Sequence, residues 1–353
     1  MKQKTYRFIL LSFVMVSLIL ASACGSTEDP STEETSHLTD VDVTDFFPFY
    51  PDTIFTYEGT GSEYADQIIY FDYIDDQQAQ RRIQSAGTTI GQVIHAKDGK
   101  IVVRFTKEGF YSFYPLLDEE SNRSEVLLME PLENGTEWEL EDGRKRSITD
   151  VQASISTPYG DFDAIEVTTE SDESVHRSYY AQGIGFVKSK FESSNGSEPI
   201  ITELASMEEN ASWEANLRVY YPEWEKELSV YKDFSVSLYT NESIEAMLTK
   251  YLQQPPPMDT AAAVLQDNVE IKHIDRQSEK QQITIDFNSG ITEVGMGSDF
   301  ESQMLQCIVN TVGQYYQADR VVITVEGGPY ETGHYFLGPD DYLVPDTENS
   351  EEI

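Results

Sequence analysis

The residues with the clearest chemistry lie at the start of the chain, where a cysteine closes a short apolar run. Three basic residues fall in the first seven positions, an apolar stretch covers residues 8–20, and Ala-Ser-Ala leads into Cys24. This order is typical of a lipoprotein signal, in which the cysteine thiol takes up a diacylglyceryl group before cleavage. The stretch is shorter than the roughly 20 residues of a membrane-spanning helix. We therefore predict a lipoprotein signal peptide over residues 1–24; the alternative is an ordinary secretory signal that happens to precede a cysteine.

Lipidation of Cys24 predicts a protein anchored at the extracytoplasmic face of the cell membrane. Each buried methylene of an acyl chain contributes about 0.8 kcal/mol, so two chains suffice for stable attachment. Residues 25–45 follow as an acidic linker without Lys or Arg, which we expect to be disordered and self-repelling. At roughly 3.3 Å per residue it spans on the order of 65 Å when extended.

The remaining candidates for chemistry do not assemble into a site. Cys307 lies on the apolar stripe of a predicted helix, which indicates a buried structural thiol. The five histidines are scattered without metal-ligand spacing, and no nucleophile or phosphate-loop motif occurs. The stretch Asp286–Gly290 only partly matches a calcium loop, because its glycine comes one position early. We therefore predict no catalytic, cofactor-binding or metal-binding residues, and no enzyme activity.

The net charge of the chain limits the classes of partner that it can bind. The formal net charge of the chain is −39, and loss of the three basic residues of the signal would make it about −42. Such a surface repels nucleic acid and anionic lipid headgroups. It is an adaptation to a salty or alkaline exterior or, alternatively, it serves cation binding; in either case the attachment to the membrane must come from the acyl chains.

Residues 46–207 read as a β-rich domain. Short alternating runs are separated by Gly, Asp and Asn turns, and Asp98-Gly99 is a typical hairpin turn. We predict a mostly antiparallel, strongly curved sheet. The pattern Pro48-Phe49 with its following alternation recurs at Pro131-Leu132, at a constant offset of 83 positions. This is either a duplication or two similar strand starts.

The second folded part begins after a polar, acidic stretch, residues 208–215, which we predict to be a hinge. A strand at Leu217–Tyr221 and a helix at Asn241–Leu252 come first. The stretch Gln282–Gly328 then reads as strand, helix and strand, and the helix carries one buried apolar stripe. The predicted fold class is α+β: an antiparallel sheet domain followed by a two-layer sandwich with two helices on one face of a sheet.

This second part resembles the GerMN domain of sporulation and spore-germination lipoproteins of Gram-positive bacteria. The resemblance rests on LRVYY at Leu217–Tyr221, the two helices, the strands ITIDF and VVITVEGG, and the closing segment GHYFLGPDDYLVP at Gly333–Pro345. It implies a GerMN-like domain over residues 216–345, followed by an acidic tail over 346–353. Ring-forming modules of sporulation envelope machines have a similar layout.

Two functions from different classes remain open at this point. The first is a non-catalytic envelope lipoprotein that assembles with an envelope protein partner, or with itself, through its C-terminal domain. The second is a binding module whose curved sheet holds a hydrophobic or wall-derived ligand. Trp213, Tyr220, Tyr221 and Trp224 form a candidate interaction surface; the alternative is that they pack in the core.

Overall fold

The computed structural model describes residues 38, 40–225, 228–293, 295, 297–338 and 340–353. The predicted signal peptide, its lipidation residue Cys24 and most of the predicted linker lie outside the described residues. All that follows concerns the described part.

Twelve strands of the described chain form one large curved sheet. In chain order they are β1 (Thr53–Thr60), β2 (Gln67–Ile74), β3 (Gln78–Gln84), β4 (Thr89–Lys97), β5 (Lys100–Glu108), β6 (Glu125–Met129), β7 (Glu137–Glu139), β8 (Lys145–Ser156), β9 (Asp161–Glu170), β10 (Ser174–Ala181), β11 (Gly185–Ser193) and β12 (Ile200–Glu209). Each strand pairs antiparallel with its chain neighbour within β1–β6 and within β7–β12, and β1 pairs with β12. The predicted antiparallel sheet is confirmed. The Asp98-Gly99 turn joins β4 to β5, with φ angles of 53° and 67° that suit a two-residue hairpin.

The two halves of this sheet repeat each other in layout. The strands β9, β10 and β11 begin 83 to 85 residues after β3, β4 and β5. Both halves are six-stranded meanders, and the side chains of Trp138 and Arg146 bridge the two outer edges of the sheet. Trp138 Nε1 donates to the Val126 carbonyl at 3.1 Å, and Arg146 forms an ion pair with Glu125 at 3.0 Å. The element spacing favours duplication over two similar strand starts.

One face of the sheet is turned inward, because side chains from both halves pack against each other there. Ile94 and Leu128 of the first half share an apolar cluster with Ile148 and Tyr180 of the second. The opposite face of β2, β3 and β4 is also buried, against the C-terminal part of the chain. Successive residues of these strands therefore lie in two different cores.

The inner face is closed by the residues that precede β1. A short 3-10 helix, Val43–Phe46, is capped by Asp42, whose carboxylate accepts from the Thr44 N–H at 2.8 Å. Val43, Phe46 and Phe47 are buried in the inner cluster. The predicted linker boundary at residue 45 is therefore wrong, because the last residues assigned to the linker belong to the folded part. We call residues 40–49 the inner plug.

The C-terminal part of the described chain contains two more sheets and the two α-helices. The three-stranded sheet has the order β13 (Trp213–Glu223), β14 (Leu228–Leu238), β20 (Ser350–Glu352). The five-stranded sheet has the order β15 (Ile271–Gln277), β16 (Gln282–Phe287), β17 (Arg320–Val325), β18 (Gly328–Glu331), β19 (Phe336–Leu337). The helices are α1 (Ile244–Leu252) and α2 (Ser298–Tyr316). The predicted α+β class is confirmed, whereas the acidic tail forms strand β20, parallel to β14.

Helix α2 packs its predicted apolar stripe against β13 and the five-stranded sheet. Met304, Cys307, Ile308 and Val312 on this stripe are at most 2 % exposed. The helix begins at Ser298, with Gly297 as N-cap. Its last turn ends at Gln317, whose left-handed φ of 53° stops the helix before β17.

The predicted hinge is regular structure. Glu208 and Glu209 pair with Ile54 and Thr53 of β1, a turn follows at Asn210, and β13 begins at Trp213. The largest apolar cluster joins side chains from both sides of this turn. Strand pairing fixes residues 208–209 and 213–215, and the Ala211 N–H between them donates to the Asp52 carbonyl at 2.9 Å. These contacts correct the expectation of a sparsely contacted hinge.

Candidate functional site

The four aromatic residues of the predicted interaction surface lie in different environments. Tyr220 and Tyr221 are 1 % and 0 % exposed, so they pack in the core of β13 and cannot present a surface. Trp213 is half-buried, and Trp224 is 48 % exposed beyond the end of the strand. Successive residues of a strand point to opposite faces, so alternation alone would expose either Tyr220 or Tyr221. Both are buried, because β13 is covered on both faces at this point. The prediction of one aromatic surface is wrong.

Trp213 instead belongs to a buried charge site between the large sheet and the C-terminal part. The Arg82 guanidinium lies 4.7 Å from the centre of the Trp213 ring, and Phe110 and Phe113 lie at 5.1 and 5.5 Å. Arg82 also binds Asp72 through two nitrogens, at 2.7 and 2.9 Å. Both charged side chains are at most 1 % exposed.

The loop between β5 and β6 is held by this pair. The Gln80 carboxamide donates to Asp72 at 3.0 Å and to the Tyr114 carbonyl at 2.9 Å, while its oxygen accepts from the Leu116 N–H at 2.5 Å. Arg82 donates to the Ser112 carbonyl at 3.2 Å. Burial raises the pKa of Asp72, and the Arg82 charge opposes that rise. Each oxygen of Asp72 accepts from Arg82 or Gln80, so the role of the site is structural: it holds the β5–β6 loop in place.

The end of α2 also binds the β5–β6 loop. The Tyr315 hydroxyl donates to the Phe113 carbonyl at 3.0 Å and accepts from the Phe113 N–H at 3.1 Å. The Ser112 hydroxyl donates to the Tyr315 carbonyl. A second tie is Asn241, whose side chain pairs with both backbone groups of Ile74 at 2.9 and 3.0 Å. The large sheet and the C-terminal part are therefore joined by buried polar contacts as well as apolar packing.

Clefts lie along the boundary between the large sheet and the C-terminal part, which we call the seam. One of about 600 Å³ is lined by Trp213, Tyr111 and a set of polar side chains around the start of β13 and the end of α2. A second, of about 230 Å³, shares Tyr111, Ser112 and Gln317 with the first and extends toward β15 and β16. We call the two together the seam groove. Loop residue Tyr111, 57 % exposed, stands between them.

The inner face of the large sheet offers far less space. The gap lined by Phe47, Phe55, Phe71 and Phe186 has a volume of about 20 Å³. That is room for about one water molecule. Among the described residues, Phe47 of the inner plug and side chains of the sheet itself fill this part of the face, and the gap between them is too small for a lipid acyl chain.

Cys307 lies where the sequence predicts, fully buried on the α2 stripe. Burial raises the pKa of its thiol to about 12, and the Ser229 hydroxyl lies 3.6 Å from Sγ. Glu301 is buried one turn into the same helix and accepts hydrogen bonds from Tyr330 at 2.8 Å and Thr332 at 2.7 Å. In the described part of the chain, no three or more His, Cys, Asp or Glu side chains come together in a way that could hold a metal ion.

The closing segment, residues 333–345, contains three exposed apolar side chains that lie close together in sequence. Phe336, Tyr342 and Val344 are 62, 44 and 56 % exposed. The Arg320 guanidinium lies 4.5 Å from the Tyr342 ring. The segment is fixed to the sheet by Leu343, which exchanges two backbone hydrogen bonds with Val321 at 2.8 and 2.9 Å. None of the helices in the described ranges is long and apolar enough to cross a membrane.

Comparison with known proteins bears on this C-terminal part. Residues 218–331 match the family model Germane, described as sporulation and spore germination. The matched residues run from β13 to β18 and include both α-helices. This part of the chain is GerMN-like. The resemblance read from LRVYY, the two helices and VVITVEGG is confirmed. No curated protein matches the chain.

Several solved structures also match the chain, at low similarity. The tandem GerMN domains of the sporulation protein GerM from Bacillus subtilis align with 16 % identity and a TM-score of 0.29, over 39 % of this chain and 47 % of that one. The match thus spans about half of the length of the GerM structure. An exported protein with a YmcC-like fold from Bacteroides fragilis aligns with 13 % identity and a TM-score of 0.31, over 46 % of this chain and 99 % of that one. A lipoprotein from Parabacteroides distasonis aligns with 14 % identity and a TM-score of 0.28, over 45 % and 98 %.

Proposed function

We propose that this protein is a non-catalytic, lipid-anchored protein of the extracytoplasmic envelope whose GerMN-like part pairs with a like module, in sporulation, germination or a related envelope process. The observation that carries the proposal is the family match over residues 218–331. The signal over residues 1–24 supports the location, since its cysteine offers an acylation site.

The pairing surface that we propose is the closing segment, which directly follows the matched residues 218–331. Phe336, Tyr342 and Val344 expose apolar side chains within one short stretch. Burial of such side chains against a partner contributes about 25 cal/mol per Å² of apolar surface. Because Leu343 is bonded to β17, the segment is preorganised and little conformational entropy is lost on pairing. The occupant that we propose is a second GerMN-like module, either of another copy of this chain or of an envelope partner.

Charge makes this pairing dependent on salt. Two copies that have lost the signal, with a net charge of about −42 each, repel one another at low ionic strength. The Debye length is about 10 Å at 0.1 M salt, so repulsion between distant charges is screened there. We expect association to strengthen from low to moderate salt.

Sedimentation of the purified chain across a salt series, alone and with GerMN-containing envelope proteins, tests the proposal. We expect salt-promoted association that is lost in the double variant Phe336→Glu/Val344→Glu. The matched control is Tyr159→Glu, at a tyrosine of the large sheet that is 46 % exposed. A strict monomer in every mixture would overturn the pairing. Turnover of a wall or lipid substrate that one carboxylate variant abolishes would replace it with an enzyme.

The ligand-binding alternative placed a hydrophobic or wall-derived ligand in the curved sheet. The inner gap of about 20 Å³ does not favour it for an apolar ligand, because the inner plug occupies that face.

A further inference from the structure

The seam groove differs in chemistry from the rest of this acidic molecule. Around its larger cleft stand two aromatic side chains, Trp213 and Tyr111, and a group of carboxamides on exposed residues. These carboxamide residues are Gln84, Asn216, Gln314 and Gln317. The lining continues on the far side of Tyr111 with Gln277, Gln281 and Gln282, beside the basic side chains of Lys107 and Arg276. Arg276 forms an ion pair with Glu119 at 3.0 Å.

The charged side chains of the larger cleft are already paired within the protein. Arg218 binds Asp233 through two nitrogens, each at 2.7 Å. Glu214 accepts from the hydroxyls of Ser212, Ser235 and Ser237 at 3.1, 2.9 and 2.6 Å, and these bonds lower the pKa of its carboxyl.

Asp72 compensates the charge of Arg82, and Asp233 compensates that of Arg218, which leaves Glu214 as a further carboxylate of this lining. The three hydroxyls bonded to Glu214 occupy its oxygens, so the lining disfavours an anionic ligand, and the net charge of the whole chain repels polyanions.

The carboxamides supply a different kind of recognition. Each offers an acceptor oxygen and two N–H donors, which can bond to neighbouring hydroxyls of one ligand. The Gln314 oxygen already accepts from the Tyr220 hydroxyl at 2.7 Å. This bond fixes the orientation of the amide, whose two donors lie on the opposite side of the group. The side chains of Trp213 and Tyr111 each add an apolar ring face and one polar group.

We propose that the seam groove binds a glycan chain. A sugar ring presents hydroxyl or acetamido groups at its rim and a C–H face to an aromatic ring, which fits this lining better than a lipid or a charged metabolite. The larger cleft, about 600 Å³, lies within the ~300–1,000 Å³ range of small-molecule sites. The second cleft continues past Tyr111, so the groove accommodates more than one sugar unit. This site is separate from the closing segment and stands independently of the pairing proposed there.

Titration of the purified chain with soluble oligosaccharides tests the site. The probes are the tetramer of β-1,4-linked N-acetylglucosamine, the corresponding glucose tetramer and a wall stem peptide without sugar. We expect saturable binding of at least one tetrasaccharide and none of the peptide. Tyr111→Ala and Asn216→Ala, both at exposed positions, should each weaken binding about tenfold or more, and Tyr159→Ala should leave it unchanged.

A sedimentation assay with purified peptidoglycan separates the sources of the glycan. Binding to intact peptidoglycan that the soluble tetramer displaces identifies the wall polymer as a source, whereas binding to soluble sugars alone points to free oligosaccharides; either result supports the proposal. It is overturned if neither tetrasaccharide nor peptidoglycan binds at millimolar sugar, if only the stem peptide binds, or if Tyr111→Ala and Tyr159→Ala behave alike. None of these outcomes depends on whether the GerMN-like part self-associates.

Discussion

Asp72 and Arg82 show how single residues hold the two parts of this chain together. The pair is fully buried, bidentate and surrounded by aromatic rings. A buried ion pair contributes little net stability against a well-packed apolar replacement, but removal of one partner leaves a charge without compensation. The pair therefore fixes the position of the β5–β6 loop more than it adds to the free energy of unfolding.

Single and double substitutions at this pair test its role. We expect Asp72→Asn and Arg82→Met each to lower the free energy of unfolding by about 3–5 kcal/mol, because each leaves a polar group unpaired. The double variant should recover part of this loss. Urea denaturation measures all three. Strictly additive losses in the double variant would show that the two side chains do not interact as the structure has them.

Cys307 provides a second test at this scale. Because burial raises its thiol pKa to about 12, little thiolate forms at pH 8, and we expect the native protein to react with a thiol reagent far more slowly than the urea-unfolded protein. Cys307→Ser should cost roughly 1–3 kcal/mol, since it places a hydroxyl in an apolar site. Labelling of the native protein at the unfolded rate would contradict the packing of α2.

At the scale of elements, alternation and helical periodicity identified most of the fold. The β4–β5 hairpin follows from Asp98-Gly99, and the buried face of α2 follows from the spacing of Met304, Cys307, Ile308 and Val312. Both signals are local, which is why they can be read from a sequence without a structure.

Elements that depend on distant partners could not be read in this way. Asn241, the first residue of the predicted helix, lies outside α1 because its side chain pairs with Ile74, which is 167 positions away, and Ser243 caps α1. The acidic tail becomes strand β20 only because β14 offers an edge for parallel pairing. Asp72 of the seam could have been identified from the sequence, because it is a charged residue directly after the apolar run that ends in Tyr70-Phe71. The contribution of Trp213, Gln314 and Tyr111 to one groove was not, because they come together only through the tertiary fold.

The inner plug is the element whose importance is easiest to measure. Phe46 is 3 % exposed inside the curved sheet, so we expect Phe46→Ala to lower the free energy of unfolding by about 3–5 kcal/mol. Phe336→Ala is the matched control, since that ring is 62 % exposed and its loss should cost under about 0.5 kcal/mol. Equal costs in urea denaturation would mean that the plug does not occupy the inner face in solution.

At the scale of the whole molecule, one apolar core crosses from the large sheet to the GerMN-like part. The Tyr315–Phe113 and Asn241–Ile74 contacts add polar ties across the same boundary. This arrangement fixes the orientation of the closing segment relative to the large sheet. A partner that binds the closing segment would therefore engage the chain as one body. The division into a β-rich and a GerMN-like domain then describes architecture rather than independent motion.

Photo-cross-linking in intact membranes tests the pairing role most directly. A photoreactive residue at position 336 should give a discrete adduct with another GerMN-like protein or a second copy of this chain, because Phe336 lies on the proposed surface. The same residue at position 159 on the large sheet should give none, which controls for random collisions. Absence of any protein adduct from position 336, or equal adducts from both positions, would contradict the account.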